Sequence, residues 1–301
     1  FETGGYFIVN GAEKVIVPQE NKIVNYVYLN TNSDGTHKSW IHSKAGNTAN
    51  YGFYTEVMIN QRDEIYISVS ISKKKTVYIP LLIFYKAIGV VTDKEVYDMI
   101  IGSNVNQDIM DILKISLYFT GAEEDYTESL KSQMNALKYI GNKYIESKYH
   151  RTKSSIEEIV SGIKYRILNR ELLPHIGDDT YIAEKKIFLS YMVRQVIRLR
   201  LKHIKPDDPD CYSNKRVLTP GVLMSQLIHV KFNTYMKKKF KKDFKKQLEQ
   251  YSKAKKYELI YDRCYDYLKP TSEINKSIGT GNCPSGSTKQ YEQKAGVSQT
   301  L

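Results

Sequence analysis

The stretch Tyr6-Phe-Ile-Val-Asn-Gly-Ala-Glu-Lys-Val-Ile-Val17 decides how the fold begins. Two apolar runs, Tyr6 to Val9 and Glu13 to Val17, flank the dipeptide Asn10-Gly11. Asn-Gly supplies the two positive-φ positions that a type I′ turn requires. The stretch therefore predicts a tight β-hairpin at the start of the chain.

The rest of the first quarter of the chain also has strand patterns. Apolar residues at 65, 67, 69 and 71 alternate with Tyr66 and three serines, which predicts a strand with one solvated face. Residues Ile23 to Leu29 and Phe53 to Ile59 are further strand candidates. Between them, Asn30 to Asn50 is rich in Ser, Thr, Asn and Gly and is interpreted as a mobile loop.

Helix signals dominate after residue 80. Pro80 suits a first helical turn, Gly89 suits a helix end, and Thr92-x-x-Glu95 is a capping box. Further helices are predicted from the capping box Ser154-x-x-Glu157, over Thr180 to Leu201, and from Thr219-Pro220 toward Leu248. The predicted fold class is α+β.

The long helix predicted over Thr180 to Leu201 has mixed character. Its inward side is assigned to Ile187, Tyr191 and Val196 or Ile197. Its three arginines, Arg194, Arg198 and Arg200, are expected to be available to solvent or phosphate.

Composition limits the classes of function. The net charge of +12 and the pI of about 9.2 point to a polyanionic partner. The three cysteines are far apart and form no Cys-x-x-Cys pair, so they predict neither a disulfide framework nor a zinc ribbon, and a reducing compartment fits best. The longest apolar run, Ile79 to Phe84, is far shorter than the ~20 residues of a membrane helix. P-loop and dinucleotide-binding motifs are missing from the sequence.

Six segments, in order along the chain, resemble motifs of the second-largest subunit of multisubunit DNA-dependent RNA polymerases. The segments are Phe1–Val15, Tyr78–Gly89, Leu172–His175, Phe188–Arg194, Asp208–Arg216 and the pair Gly279–Asn282 with Ala295–Leu301. The chain starts on a strand-like run and stops inside another, so we expect it to be an internal part of a larger subunit.

The resemblance implies an architecture of three parts. These are a discontinuous protrusion domain, an inserted α+β lobe domain, and the start of a fork. The expected boundaries are 1–22 and 219–274 for the protrusion, 23–218 for the lobe, and 275–301 for the fork. The helix starting at Thr219 is expected to pack its apolar face against the Asn10-Gly11 hairpin.

The resemblance also implies a function. This segment would form one wall of the polymerase cleft and the fork beside the RNA:DNA hybrid, while the Mg²⁺-dependent chemistry is carried elsewhere in the enzyme, so no catalytic residue and no metal or cofactor site are expected here. Its expected partners are the largest subunit and small subunits, the DNA template and the hybrid, and initiation factors on the lobe and protrusion. The setting would be the nucleus or, for a viral version, the host cytoplasm or the virion.

The residues expected to contact nucleic acid follow from the fork assignment. Glycines allow the backbone to approach a nucleic acid closely, lysines and arginines meet phosphate, and small polar side chains offer neutral hydrogen bonds. The candidates are Gly281, Asn282, Lys289, Lys294, Ser298, Gln299, Lys215 and Arg216. Because phosphate contacts carry no sequence information, this surface is expected to hold nucleic acid without reading it.

Two departures from the family pattern indicate a divergent member, and the sequence favours a viral one. Cys283 stands where the family has a Trp, and Asp210-Cys-Tyr-Ser213 replaces an Asp-His-Tyr-Gly turn.

Three alternatives stay open from the sequence. The chain as a whole could be a free-standing basic module that binds nucleic acid or protein. The eight lysines between Lys231 and Lys246 form either a solvated helix face or a nucleic-acid contact. The acids Asp207, Asp208 and Asp210 lie beside prolines and favour an exposed turn over a metal site.

Overall fold

The computed structural model describes residues 6–45, 52–72, 75–90, 92–102, 106–118, 132–147, 156–165, 171–177, 179–233, 240–254, 270–281 and 298–300. The strands in these ranges are β1 Tyr6–Val9, β2 Ala12–Ile16, β3 Gln19–Lys22, β4 Val27–Thr31, β5 His37–Lys44, β6 Gly52–Ile59, β7 Ile65–Ser72, β8 Lys75–Pro80, β9 Lys215–Leu218 and β10 Ser298–Thr300. The helices are α1 Leu81–Ala87, α2 Asp93–Ile101, α3 Gln107–Tyr118, α4 Gln133–Ser147, α5 Ile156–Ile163, α6 Ile182–Arg200, α7 Pro220–Asn233, α8 Lys241–Ala254 and α9 Pro270–Thr280. The mixed helix and sheet content agrees with the predicted α+β class.

The chain divides into two compact units. Unit 1 consists of Phe1–Lys22 together with Lys215–Leu301, and unit 2 consists of Ile23–Asn214. Unit 1 is thus built from both ends of the chain, and unit 2 lies between them in sequence.

Unit 2 is organised around a five-stranded antiparallel sheet in the order β4-β5-β6-β7-β8. Each strand pairs with the next one along the chain, so the sheet is a meander. Its inner face carries apolar side chains that are almost fully buried, namely Ile41, Val57, Ile59, Ile65, Ile67 and Ile79. This face packs against the helices of unit 2 and forms one large core.

Strand β5 lies where the sequence predicts a mobile loop, so that prediction is wrong for residues 37–44. The core-facing residues of β5 are Ser39, Ile41 and Ser43, and all three are fully buried. The Ser39 hydroxyl donates to the carbonyl of Met192 at 3.1 Å, which satisfies its polar group inside the core. Because two of the three inward residues are serines, the strand has no apolar alternation that a sequence pattern could detect.

Helix α6 is the main helix against the sheet. It contacts β4, β5 and β6 as well as α2 and α3. Its buried apolar residues are Leu189, Met192, Val193, Val196, Ile197 and Leu199. The inward prediction is correct for Val196 and Ile197 but wrong for Ile187 and Tyr191, which are 64% and 44% exposed. The helix has apolar residues on several sides, so the sequence alone does not fix which side faces the core.

Two of the arginines of α6 are committed to contacts inside unit 2, contrary to the expectation that they are available. The Arg194 guanidinium donates to the carbonyls of Ile100 and Met99 at the end of α2. The Arg200 Nε donates to Oδ1 of Asp63 at 2.8 Å.

Three of the predicted local signals are confirmed, whereas Pro80, predicted in a first helical turn, is the last residue of β8 and directly precedes α1. Asn10 and Gly11 have φ of 54° and 76°, as a type I′ turn requires. The backbone N–H of Glu95 donates to the Thr92 hydroxyl at 3.2 Å, which caps α2. Gly89 has φ of 91° just after α1. Ser154 of the second predicted capping box lies outside the described residues.

The segment after α6 returns the chain to the edge of the sheet. The carboxylate of Asp207 accepts from the N–H of Leu29 at 2.9 Å, and the Asp207 N–H donates to the Leu29 carbonyl at 2.8 Å. The N–H of Ile23 donates to the carbonyl of Asn214 at 3.0 Å, so the first and last residues of unit 2 are hydrogen-bonded to each other. The hydroxyl of the buried Tyr28 donates to the same carbonyl at 3.1 Å.

Candidate nucleic-acid interface

A three-stranded antiparallel sheet in unit 1 joins the two ends of the chain. Strand β1 pairs with β2 through the Asn10-Gly11 turn, and β10 pairs with the other edge of β2. In this register Ser298 lies opposite Ile16, Gln299 opposite Val15, and Thr300 opposite Lys14. The hairpin therefore holds the backbone of two candidate residues, Ser298 and Gln299.

Helices α7 and α9 cover this sheet. Val9, Leu227 and Ile278 form a buried cluster, against which Phe7, Met224 and Ile274 pack. A second cluster joins Ile16 to Leu223. The expected packing of the helix that starts at Thr219 against the hairpin is thus found, because Leu223 and Leu227 lie on one side of α7, one turn apart.

Two glycines fix the position and the end of α9. A β-carbon added to Gly279 would lie 3.3 Å from Cγ1 of Val9, so a glycine there allows the helix to approach β1 closely. Gly281 has φ of 68° and its N–H donates to the Ile278 carbonyl at 3.3 Å, which ends the helix in the left-handed conformation that glycine favours. Gly281 is buried, so the structure gives this candidate residue a role in ending the helix.

Lys215 and Arg216 lie on a different, two-stranded sheet of unit 1. Strand β9 pairs antiparallel with β3, which places Lys215 opposite Lys22 and Arg216 opposite Asn21. The Lys215 ammonium lies 3.5 Å from the Glu20 carboxylate, and Arg216 is exposed, with one Nη donating to the Lys215 carbonyl at 2.9 Å. Arg216 is therefore exposed to solvent, whereas Lys215 is partly buried beside Glu20.

The structure thus gives positions for five of the eight candidate residues. Gly281, Ser298 and Gln299 belong to the three-stranded sheet and its covering helix, while Lys215 and Arg216 belong to the β3–β9 pair. Asn282, Lys289 and Lys294 lie outside the described residues.

Positive charge is concentrated in unit 1. Its residues include 20 Lys and Arg against 10 Asp and Glu, whereas unit 2 has 25 against 23. Unit 1 therefore carries most of the net charge of +12, although it is the smaller unit. Four exposed lysines of this excess lie on α8. They belong to the lysine series that the sequence leaves open as a solvated helix face or a nucleic-acid contact.

No group of three or more His, Cys, Asp and Glu side chains able to hold a metal ion occurs in the described part of the chain. Asp207 and Asp208, the acids nearest to such a pattern, use their carboxylates to accept backbone N–H groups of Leu29 and Asp210. The described residues therefore do not fit a Mg²⁺ site. Among the same residues, none of the helices is both long and apolar enough to cross a membrane.

Comparison with known proteins assigns the family. Residues 24–218 match the family model described as RNA polymerase Rpb2, domain 2, which covers well over half of the chain and nearly all of unit 2. The chain belongs to the Rpb2 family, the second-largest subunits of RNA polymerases.

Individual relatives match the chain from end to end. The DNA-directed RNA polymerase subunit Rpo2 of Sulfolobus acidocaldarius is 30% identical over 302 residues, which cover 100% of this chain and 24% of Rpo2. The DNA-directed RNA polymerase II subunit RPB2 of Encephalitozoon cuniculi is 28% identical over 306 residues, covering 100% of this chain and 25% of RPB2. Subunit Rpo2N of Methanothermobacter thermautotrophicus is 29% identical over 323 residues, covering 100% of this chain and 56% of Rpo2N. The chain thus spans about a quarter of the length of the first two relatives.

Proposed function

We propose that this chain acts within the second-largest subunit of a DNA-directed RNA polymerase, where it forms part of the cleft wall and the fork beside the RNA:DNA hybrid. The observation that carries the proposal is the match to polymerase subunits over the whole chain, including both sequence ends that form unit 1. The segment contributes no catalytic group of its own to RNA synthesis.

The division of the chain supports a mapping onto three parts. In this proposal residues 1–22 and 219–274 are the protrusion, residues 23–218 are the lobe, and residues 275–301 begin the fork. Unit 1 is formed from both ends of the chain and unit 2 from the middle, as an inserted lobe requires. The family match over residues 24–218 also supports the assignment of the inserted part.

The proposed nucleic-acid contacts are those that the resemblance implies: Gly281, Asn282, Lys289, Lys294, Ser298, Gln299, Lys215 and Arg216. Strand β10 supports this site, because its pairing with β2 gives Ser298 and Gln299 a fixed backbone position on a small sheet. The concentration of positive charge in unit 1 supports contact with a polyanion.

The partners of the segment would be the largest subunit, small subunits, the DNA template and the RNA:DNA hybrid, with initiation factors on the lobe and protrusion. Archaeal and eukaryotic polymerase subunits among the relatives support a cellular transcription setting. The departures at Cys283 and Ser213 indicate a divergent member, for which we propose a viral origin, with the host cytoplasm or the virion as the alternative setting to the nucleus. Sequencing the flanking DNA tests this origin directly.

The test of the function is made in the assembled polymerase. Gln299→Ala and Lys294→Ala, singly and together, are expected to impair elongation or the stability of the open complex while assembly is retained. Lys202→Ala, which removes an exposed lysine of unit 2, is the matched control and should transcribe as the unmodified enzyme does. Unmodified transcription by the double variant would contradict the fork assignment.

A further inference from the structure

Helix α8 carries a face of exposed lysines. Lys241, Lys242, Lys245 and Lys246 are all exposed, and they are related in pairs by four residues. On an α-helix this spacing stacks the side chains in two adjacent rows, with a rise of about 6 Å between the members of each pair. The face therefore presents four ammonium groups within about two helical turns.

These charges have no counter-charge among the side chains that the structure describes. Among the described residues, none of the four ammonium groups has a hydrogen-bond or ion-pair partner. Lysines elsewhere are paired: Lys38 lies 2.7 Å from the Glu56 carboxylate, and Lys86 lies 2.7 Å from that of Asp93. Glu249, one turn after Lys245, is exposed and forms no ion pair with these lysines among the described side chains. Four closely spaced like charges repel one another, and binding of an anion relieves this repulsion.

The apolar side of α8 helps to identify the anion. The rings of Phe240 and Phe244 stack on each other with 5.7 Å between centroids and 10° between planes, and both are partly buried. Rings that are paired in this way are poorly suited to stacking on the bases of a single strand, which needs accessible aromatic faces. Leu248, one turn further along α8, is 46% exposed.

We propose that the lysine face of α8, formed by Lys241, Lys242, Lys245 and Lys246, is a contact surface for the phosphate backbone of duplex nucleic acid. Each ammonium that meets a phosphate releases condensed counterions, so the contact adds affinity that does not depend on sequence and that weakens with salt. The biological setting of the contact rests on the proposed function, whereas the binding itself rests only on the charge and geometry of α8.

The experiment measures binding of the full 301-residue chain to a short fluorescein-labelled DNA duplex by anisotropy, between about 50 and 200 mM salt. The test variant is Lys241→Gln, Lys242→Gln, Lys245→Gln and Lys246→Gln combined, because Gln removes the charge and keeps helix propensity. The matched control removes the same charge from exposed lysines of unit 2, by Lys94→Gln, Lys138→Gln, Lys202→Gln and Lys205→Gln combined.

The expected result is a change in salt dependence. The slope of log K against log salt should fall in magnitude by about 3 to 4 in the α8 variant, and the affinity at low salt should fall by about tenfold or more. The unit 2 control should lose much less affinity and much less of the slope. A second duplex of unrelated sequence should give the same affinity and slope for each variant. Circular dichroism checks that the helical content of the α8 variant is unchanged.

Three outcomes would overturn the proposal. One is an unchanged slope in the α8 variant, and another is an equal loss in the unit 2 control. The third is that the α8 substitutions abolish binding to poly-glutamate but not to DNA, which would identify an acidic protein as the occupant. None of these outcomes depends on the transcription test at Gln299 and Lys294, so the two proposals fail separately.

Discussion

The Oγ of Ser43 lies 2.7 Å from Nδ1 of His175 and also accepts the backbone N–H of His175 at 3.2 Å. Ser43 is fully buried on β5, so this pair ties the central sheet of unit 2 to the segment before α6. Both hydrogen bonds connect positions 132 residues apart in sequence. Neutral imidazole suits this site, because burial and then the charge of Lys185 lower the pKa of His175.

Acidification should destabilise unit 2. Burial also lowers the pKa of His42, with a smaller effect from Lys44, so the folded chain holds both imidazoles neutral below the ordinary histidine pKa of about 6.5. The unfolded chain binds more protons in that range, and the stability present above about pH 6.5 is lost as the pH falls toward the folded pKa values. Urea unfolding midpoints at a series of pH values measure this loss.

A pair of variants isolates the contribution of His175. His175→Gln should unfold more easily at neutral pH but show a flatter dependence of the midpoint on pH. His203→Gln changes an exposed histidine and should keep the steep dependence. Equal pH slopes for His175→Gln and the unmodified chain would show that this imidazole does not carry the effect.

Gly102→Ala should destabilise unit 2 by about 1–2 kcal/mol. Gly102 has φ of 64°, where an alanine is strained, and the added β-carbon would lie 2.8 Å from an Nη of Arg194. Arg194 cannot move freely, since it binds the carbonyls at the end of α2. Gly162→Ala on α5 is the control. A β-carbon added to Gly162 would meet no atom within 4 Å, so this substitution should be neutral or stabilising by up to about 1 kcal/mol. The chemical denaturation midpoints of the two variants should therefore shift in opposite directions or by clearly different amounts.

Leu227→Ala should unfold unit 1 selectively. Leu227 is 1% exposed at the centre of the cluster with Val9 and Ile278, and removing a buried leucine side chain costs about 2–5 kcal/mol. The neighbouring residue Ile228 is 47% exposed, so Ile228→Ala should cost much less. Amide hydrogen exchange reports the two units separately, and equal loss of protection in unit 2 would contradict this expectation.

Arg200→Ala should cost only about 0.5–1 kcal/mol. The side chains of Arg200 and Asp63 are 34% and 26% exposed, so water screens their 2.8 Å ion pair. Arg62→Ala is a suitable control, because Arg62 is exposed on the same turn and makes no ion pair among the described residues. A double-mutant cycle with Asp63→Asn measures the coupling energy between Arg200 and Asp63. A coupling energy of zero would mean that the ion pair adds no stability and that any effect of Arg200→Ala comes from its hydrogen bond to the Gln61 carbonyl.

Local signals in the sequence were reliable because they express constraints on a few neighbouring residues. The Asn10-Gly11 turn and the Thr92 cap are both of this kind. Strand β5 could not be predicted, since its buried serines are satisfied by Met192 and His175, which are far away in sequence. Strand β3 has no strand pattern either, because its four residues are all polar, and its partner β9 lies beyond unit 2 in the sequence.

The candidate site was predictable only in part. Family motifs pointed to Gly281, Ser298 and Gln299, but residue types alone do not separate a nucleic-acid contact from a structural role, as Gly281 illustrates. The lysines of α8 are visible in the sequence, yet only the folded chain shows that they have no partner among the described side chains.

The hydrogen bond between Ile23 and Asn214 has a consequence for synthesis and for evolution. The ribosome completes the sequence of unit 2 before it has made the rest of unit 1, so unit 2 can fold first. Its folding then brings β9 beside β3. The pairing of β3 with β9 requires only that the first and last residues of unit 2 lie side by side. Loops and surface helices of unit 2 can therefore lengthen or change between lineages while the register of β3 and β9 is preserved.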